Sequence, residues 1–376
     1  MGKERADFYS KLPKHITRMP VREIKIGKRM VGEGHPAFII AEVSANHGGT
    51  IEKALKMIDY AADAGADAVK FQHYRPEKVA ADTFVDEKWY GKQIGRLSDH
   101  YRPGVLPYEW TGKLSARAKQ KGIIFMSTPF DEEAVDLLEK HGAQVYKVAS
   151  YELTDDPLLE YIAKKGKPMI VSTGMATMEE VARAVDVINR VGNDQVVIMH
   201  CVSIYPAQFG DLNLRAITSM KEALKVPIGF SDHSSTKTSV AAIVAVTLGA
   251  VAIEKHFTAS RDGGSVDDPH SMQPEELKKL VEEIRYAEQA LSGSGIKQPV
   301  SRPPHGRGDE VYDIWARRSL YASQNIKAGT VVTEKMISVL RPHGGILPQH
   351  MSLVVGHKIV KNIKAREPLT WDHFLT

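Results

Sequence analysis

From Phe38 onward the chain alternates short apolar runs with amphipathic stretches, and the alternation repeats eight times. The apolar runs are "FIIAEV", "DAVKFQ", "IIFMSTP", "VYKVAS", "PMIVSTG", "QVVIMHC", "PIGFSD" and "AVAIEKHF". Between them lie segments such as "IEKALKMIDYAADAG", "DEEAVDLLEKHG" and "MEEVARAVDVINRVG", with apolar residues on one helical face. Runs too short for helices, alternating with helical patterns, predict βα units and a parallel sheet covered by helices. One long polar segment, after "DAVKFQ" and reaching Trp110, interrupts the rhythm.

Eight such units over roughly 250 residues predict an α/β fold of the closed (β/α)8 TIM-barrel kind rather than an open doubly wound sheet. Gly65, Gly122, Gly142, Gly166, Gly192 and Gly249 each stand between a helical segment and the next strand. A left-handed C-cap is wanted there, and glycine adopts it without steric cost. No G-x-G-x-x-G or G-x-x-x-x-G-K-[ST] follows any strand, so the mononucleotide-binding folds lose their usual support.

After Leu291 the texture changes to "SGSGIKQPVSRPPHGRGDE", a Gly, Pro and Ser-rich linker. The segments beyond it are short, strand-like and turn-rich, and two carry an "IKA" turn. The expected organisation is an N-terminal extension at 1–25, the barrel at 26–291, a linker at 292–311 and a small C-terminal domain at 312–376. A domain of about 60 residues buries little core alone, so packing on a barrel or another subunit is expected.

Charge narrows the partners. Fifty basic and 46 acidic residues give a formal net charge of +4, with no basic block to track a phosphate backbone, which argues against nucleic acid and for a small anionic substrate. The single Cys201 excludes an internal disulfide framework and agrees with a reducing, cytoplasmic compartment. The N-terminus has no apolar signal region, and no run approaches the roughly 20 apolar residues of a membrane span. Its Met-Gly start makes a poor acylation signal, because Ala6 stands where Ser or Thr is preferred.

In a barrel of this kind, reactive side chains come from the C-terminal ends of the strands. Every predicted strand ends in polar residues: Glu42; Lys70 and Gln72; Thr128; Lys147, Ser150 and Glu152; Ser172 and Thr173; His200, Ser203 and Tyr205; Ser231, Asp232 and His233; Glu254 and His256. Stability alone does not call for that. A lone strand-end histidine is usually a hydrogen-bonded core residue, but His233 and His256 lie on successive strands beside carboxylates. Two imidazoles suit Mn²⁺, Fe²⁺, Co²⁺ or Zn²⁺ and leave positions open for substrate and water.

Lys70 and Lys147 sit inside apolar strands, where an unpaired ammonium is costly. Either each has an internal carboxylate partner, with Glu42 and Glu152 the candidates, or a ligand brings the negative charge. The hydroxyls on the same rim make a phosphate the natural ligand. A Schiff-base lysine is the third reading and accounts less well for two lysines among so many hydroxyls.

These strings resemble the sialic acid synthase family, which condenses phosphoenolpyruvate with an N-acylated amino sugar. "FIIAEVSANHGG", "AGADAVKFQ", "YKVASYE", "VSTGMA", "HCVSIYPA", "GFSDHS" and "EKHFT" follow the family's motifs in order, and the likeness runs from about Ile26 to the C-terminus. It implies a barrel followed by an antifreeze-like (SAF, β-clip-like) domain that reaches over the partner's barrel in a domain-swapped homodimer. It also implies that His233 and His256 hold a divalent ion, Mn²⁺ first, with Mg²⁺ or Co²⁺ as alternatives. Lys70, Thr128, Lys147, Ser150, Ser172, Ser203 and Ser231 would bind phosphoenolpyruvate. Gln72, Tyr205 and Asp267 would contact the sugar, with Arg341 of "VLRPHGG" reaching its N-acyl group from the other subunit.

The implied reaction is a metal-assisted aldol-like addition of phosphoenolpyruvate C3 to the open-chain sugar aldehyde, with water adding at C2 before phosphate leaves. Glu42 and Glu152 are the candidates to orient that water and move protons. The acceptor expected is an unphosphorylated sugar of the N-acetylmannosamine type. "SANH" and "PYEW" lean instead toward pseudaminic acid synthases, and "MHCVSIYP" and "GFSDHS" toward sialic, legionaminic or spore-coat members. "SVDDPHS" lacks the usual Gly-Pro, which leaves Asp268 as an alternative to Asp267. A 3-deoxy-sugar phosphate synthase would need a second basic cluster for its acceptor phosphate, and none is evident. A catalytically silent barrel serving as a binding subunit would not need every polar position filled.

Overall fold

Eight parallel strands form one closed barrel: β1 (Phe38–Glu42), β2 (Ala68–His73), β3 (Ile124–Pro129), β4 (Tyr146–Val148), β5 (Met169–Ser172), β6 (Val196–Cys201), β7 (Ile228–Asp232) and β8 (Ala252–His256). These come from a computed structural model that describes residues 23–85, 95–292 and 315–374. The expected N-terminal extension up to residue 22, and the expected linker from 293 onward, lie outside the described residues. Strands pair in sequence order, and β8 closes on β1 with His256 opposite Glu42. Glu42 in turn stands opposite Lys70 of β2.

A helix follows each strand: α1 (Ile51–Asp63), α2 (Thr111–Lys121), α3 (Glu132–Lys140), α4 (Asp156–Ala163), α5 (Met178–Arg190), α6 (Ala216–Leu224), α7 (Val240–Thr247) and α8 (Pro274–Ser292). Side chains start several of them. Asp131 and Asp155 accept backbone N–H groups of α3 and α4, and Thr177 with Glu180 forms a capping box on α5. The six glycines singled out from the sequence all have φ between +69° and +98°, as left-handed caps require. At the end of α6 the same role falls to Lys225, with φ +58°.

The barrel interior has two levels because side chains alternate along each strand. At the N-terminal level Phe38, Ile40, Ala68, Met126, Val145, Ile170, Val197 and Met199 form a buried apolar cluster. A short antiparallel hairpin, Ile24–Ile26 with Arg29–Val31, adds Ile24, Ile26 and Val31 to it and so closes that end. Outward positions such as Ile39, Val69, Phe71 and Val171 join the cluster with α1 and the other helices. The long polar segment after β2 carries two short helices, Pro76–Val79 and Leu97–Tyr101, and a two-stranded ladder of Phe84–Val85 with Gly95–Arg96. Among the described residues no helix is long and apolar enough to cross a membrane.

The chain divides into two compact units after Leu291. In the second, an antiparallel pair (Ser319–Ala322 with Ile337–Leu340) contributes Leu320 to a buried cluster with Ile326, Val332, Val354, Ile359 and Ile363. Its two "IKA" turns mate. Ile326 and Ile363 exchange backbone hydrogen bonds of 2.8 Å, while Asn325 and Asn362 each accept the N–H of the opposite alanine, Ala365 and Ala328, also at 2.8 Å. The repeated motif therefore builds the unit's own core.

Candidate active site

At the C-terminal level of the same strands the inward positions turn polar. They surround a cavity of about 380 Å³ lined by Glu42, Lys70, Gln72, Thr128, Lys147, Ser172, Tyr205, Ser231, His233, Glu254 and His256, with Ser150 and Glu152 from the turn after β4. Ser203 lies beside it. Gly174 has φ +38°, and a Cβ there would fall 2.6 Å from both Ser150 Oγ and Ser203 Oγ, so the missing side chain lets those hydroxyls approach. Arg341 belongs to the second unit.

The floor of the cavity is a buried charge cluster. Lys70 Nζ lies 3.1 Å from Glu42 Oε2 and 3.5 Å from Glu254 Oε1, and Lys147 Nζ lies 3.5 Å from the same Glu254 oxygen. Lys147 also donates to Ser172 Oγ at 2.7 Å, and Ser231 donates to Glu254 at 3.0 Å. The internal partner of Lys147 is thus Glu254, where the sequence suggested Glu152. Register explains the correction: Glu254 points inward beside Ser231 of β7, whereas Glu152 follows β4 in a turn.

The carboxyls divide by environment. Burial raises Glu42 to about 7 against the pull of Lys70, with Glu254 adding to the rise. Burial also raises Glu152 to about 7, and its Oε2 has no hydrogen-bond partner. Burial opposes ionisation of Glu254 too, but Lys147, Lys70 and the Ser231 hydroxyl overcome it and hold that group well below the usual carboxylate range. One carboxylate stays charged while two others can carry protons near neutrality.

His233 and His256 face each other with ring centroids 5.5 Å apart, and Tyr205 lies 4.2 Å from the first and 5.6 Å from the second. The His233 Nδ1–H donates to the Val202 carbonyl at 2.7 Å, which fixes the ring and leaves the Nε2 lone pair toward the cavity, 3.3 Å from the Ser231 hydroxyl. His256 Nδ1 is buried without a hydrogen-bond partner. Burial pushes the two imidazoles down to about 4 and about 3, so both are neutral at pH 7, the form that ligates a cation. This donor set fits a divalent ion.

Residues 57–297 match the NeuB family model, and residues 317–375 match the SAF domain. The chain belongs to the NeuB family. Pseudaminic acid synthase of Campylobacter jejuni is 37% identical over 343 residues, spanning 90% of this chain and 96% of the relative. N,N'-diacetyllegionaminic acid synthase of Legionella pneumophila is 36% identical over 351 residues, 91% of this chain and 96% of the relative. Among solved structures, the spore coat polysaccharide biosynthesis protein of Bacillus subtilis aligns with a TM-score of 0.65 at 35% identity, covering 94% of this chain and 99% of that one.

Against that NeuB frame, three strand-end residues read from the sequence as rim chemistry turn out to be structural. Thr173 donates to the Met199 carbonyl, His200 Nε2 bonds the Leu212 carbonyl at 2.7 Å, and Asp232 pairs with buried Lys255 at 3.0 Å. Each is adjacent in sequence to an inward residue and therefore points outward. Asp268 is likewise structural, accepting from the Thr258 hydroxyl and from the Ser265 N–H at 2.8 Å. Asp267, not Asp268, faces the imidazoles, 4.0 Å from His256 Nδ1 and 3.3 Å from His270 Nε2.

Sequence reasoning left Glu254, Ser44 and His270 without roles. The parity of β8 could have placed Glu254 beside His256. Ser44, in "SANH", holds φ +48°, a conformation that costs a non-glycine residue energy. Its Oγ accepts from Gln72 at 3.0 Å and also contacts Asp267. His270 ends a single 3-10 turn, Asp268–His270, too short to carry a period.

Proposed function

We propose that this NeuB-family chain is a nonulosonic acid synthase of the cytoplasm, a phosphoenolpyruvate-dependent transferase that forms a carbon–carbon bond. It condenses phosphoenolpyruvate with an unphosphorylated N-acylated amino sugar and water, and releases phosphate. The observation that carries the reading is the meeting, in one cavity, of two buried lysines, two neutral imidazoles and two carboxyls raised to about 7. The names of the relatives support the product class. N-acetylmannosamine and diacetamido-hexoses are both acceptors of the right chemistry.

In this reading Lys70 and Lys147, with Thr128, Ser150, Ser172, Ser203 and Ser231, hold the anionic groups of phosphoenolpyruvate. With Glu42 protonated, two ammoniums face only the Glu254 carboxylate, so the floor carries surplus positive charge for an anion. Gln72, Tyr205 and Asp267 orient the sugar. A divalent ion on His233 and His256, Mn²⁺ first and Mg²⁺ or Co²⁺ as substitutes, would supply Lewis-acid polarisation of the sugar aldehyde. Glu42 and Glu152 take up and return protons at the water that adds to C2, a task suited to groups titrating near neutrality.

The decisive experiment is phosphate release from phosphoenolpyruvate with a panel of N-acylated sugars, with and without a chelator. Release with unphosphorylated sugars and its loss on chelation are expected. Release with phosphorylated acceptors only would assign a 3-deoxy-sugar phosphate synthase instead. The shared-site part of the proposal, in which Arg341 serves the other subunit's barrel, is tested by coexpressing Glu42→Gln with Arg341→Ala. In a swapped heterodimer one site takes both lesions and the other neither, so substantial activity returns. No recovery in a verified heterodimer rules the exchange out.

A further inference from the structure

We infer that His270 and Asp267 are ligands of the cation that His256 holds, giving this chain a two-histidine, one-carboxylate site beyond the His233–His256 pair. The inference deepens the metal-dependent reading above and rests on it, with Asp267 then acting on the sugar through the cation rather than directly.

Three observations converge. One donor atom from each of His256, Asp267 and His270 can be chosen so that all lie within 4.8 Å of one another. The two Asp267 oxygens reach one imidazole each, Oδ2 lying 4.0 Å from His256 Nδ1 and Oδ1 3.3 Å from His270 Nε2. Metal–ligand bonds of about 2.1 Å put two donors of one ion about 3 to 4.2 Å apart, so rotation of a side chain or two closes the triad. Second, His256 Nδ1 is buried with no hydrogen-bond partner, a state that a cation would relieve. Third, the triad is pinned from outside. Tyr205 lies 5.4 Å from the His270 ring, the His256 and His270 rings are 5.4 Å apart, and Ser44 holds Asp267. Glu254, Lys70 and His233 face His256 from the cavity side, so Asp267 is the carboxylate next to the imidazole pair on the loop side.

Two imidazoles and a carboxylate on one side of an ion leave the opposite positions open, an arrangement suited to Mn²⁺, Fe²⁺ or Co²⁺ and less to Mg²⁺, which prefers oxygen ligands. Relative to the His233–His256 pair, the triad takes the His270 imidazole in place of that of His233 and adds a carboxylate, which neutralises part of the cation's charge and raises its retention.

The test is Co²⁺ titration of the full-length protein without substrates, followed by visible absorption and calorimetry. His256→Ala should abolish binding. His270→Phe, which keeps a ring in place, should weaken Co²⁺ at least about tenfold and alter the absorption bands, and Asp267→Asn should weaken it similarly. His270→Gln is read the same way should the Phe variant fail to fold. Binding within twofold of wild type in the His270 variants, with an unchanged spectrum, overturns the inference, and its loss in His233→Ala would then leave the simpler pair in place. Absence of any Co²⁺ binding by the wild type removes both the inference and the metal part of the proposed function; phosphate release, measured separately, decides the rest.

Discussion

The two levels of the barrel interior are built from the same strands, two residues apart, and obey opposite rules. Ile40 gives way to Glu42, Ala68 to Lys70, Val145 to Lys147, Ile170 to Ser172 and Ala252 to Glu254. The N-terminal level is apolar and sealed by the hairpin, so it stabilises through burial. The C-terminal level holds buried charges, whose desolvation opposes folding unless partners compensate. The contrast teaches that the lower level stabilises the scaffold so that the upper one can keep groups no core would choose.

The largest effect should come from removing the carboxylate that both lysines share. Glu254→Gln preserves shape and hydrogen bonding but strips Lys70 and Lys147 of a common counter-charge within 3.5 Å. Breaking a buried ion pair from one side costs about 3 to 5 kcal/mol. Urea unfolding should show that loss, with millimolar phosphoenolpyruvate restoring part of it. A loss below about 1 kcal/mol would mean that the cluster is hydrated and that the two levels differ less than the burial suggests.

Lys70→Met and Lys147→Met come next. Each leaves Glu254 facing the other lysine, so the fold should survive with a smaller loss than in Glu254→Gln, while phosphoenolpyruvate binding weakens by about 1.5 to 3 kcal/mol per charged hydrogen bond lost. Calorimetry with the pure ligand measures it. Unchanged affinity in both variants would make the lysines structural partners of Glu42 and Glu254 and nothing more.

A smaller disturbance belongs to the lower level. A Cβ at Gly229 would stand 2.8 Å from the Ala252 carbonyl oxygen and against the Met199 sulfur. Gly229→Ala should therefore destabilise by about 1 to 3 kcal/mol through overpacking, with kcat/KM essentially intact. A severalfold fall in kcat/KM at unchanged fold would show that the apolar level sets the geometry of the polar one.

Legibility in the sequence followed the same division. The eight strands, the glycine caps and the inward rim residues were readable because each rests on a local rule: run length, C-cap geometry, position at a strand end. Thr173, His200 and Asp232 were misread where strand ends were taken as blocks and parity was not applied. The Lys147–Glu254 pairing depends on which strands stand across the barrel, more than 100 positions apart in sequence, and no periodic signal carries that. Ser44 and His270 lie in single 3-10 turns beyond the strand ends, too short for a periodic pattern to place them. Their only sequence trace was the departure of "SANH" and "SVDDPHS" from the commoner motifs.

The smallest predicted effect concerns Glu152, half-buried at the cavity wall, and it isolates desolvation from charge pairing. Folding raises this carboxyl from 4.5 to about 7, burial being the chief cause. The folded state thus binds the proton more tightly than the unfolded one, so the stabilisation is fully present below pH 4.5 and is lost as pH rises through 7. Glu152→Gln mimics the protonated form at every pH. Its stability relative to wild type should be unchanged at pH 4.5 and should exceed it by pH 8, by a gap on the order of 1 kcal/mol once solvent screening of a half-exposed side chain is allowed for. Glu42 shifts in the same direction, so both proteins keep that part of the slope and the difference between them reports Glu152 alone. Urea unfolding at pH 4.5, 6 and 8 measures the gap. A gap that does not grow with pH would mean that Glu152 ionises in the folded protein as freely as in water, which would withdraw it from the proton-moving role and leave Glu42 to serve alone.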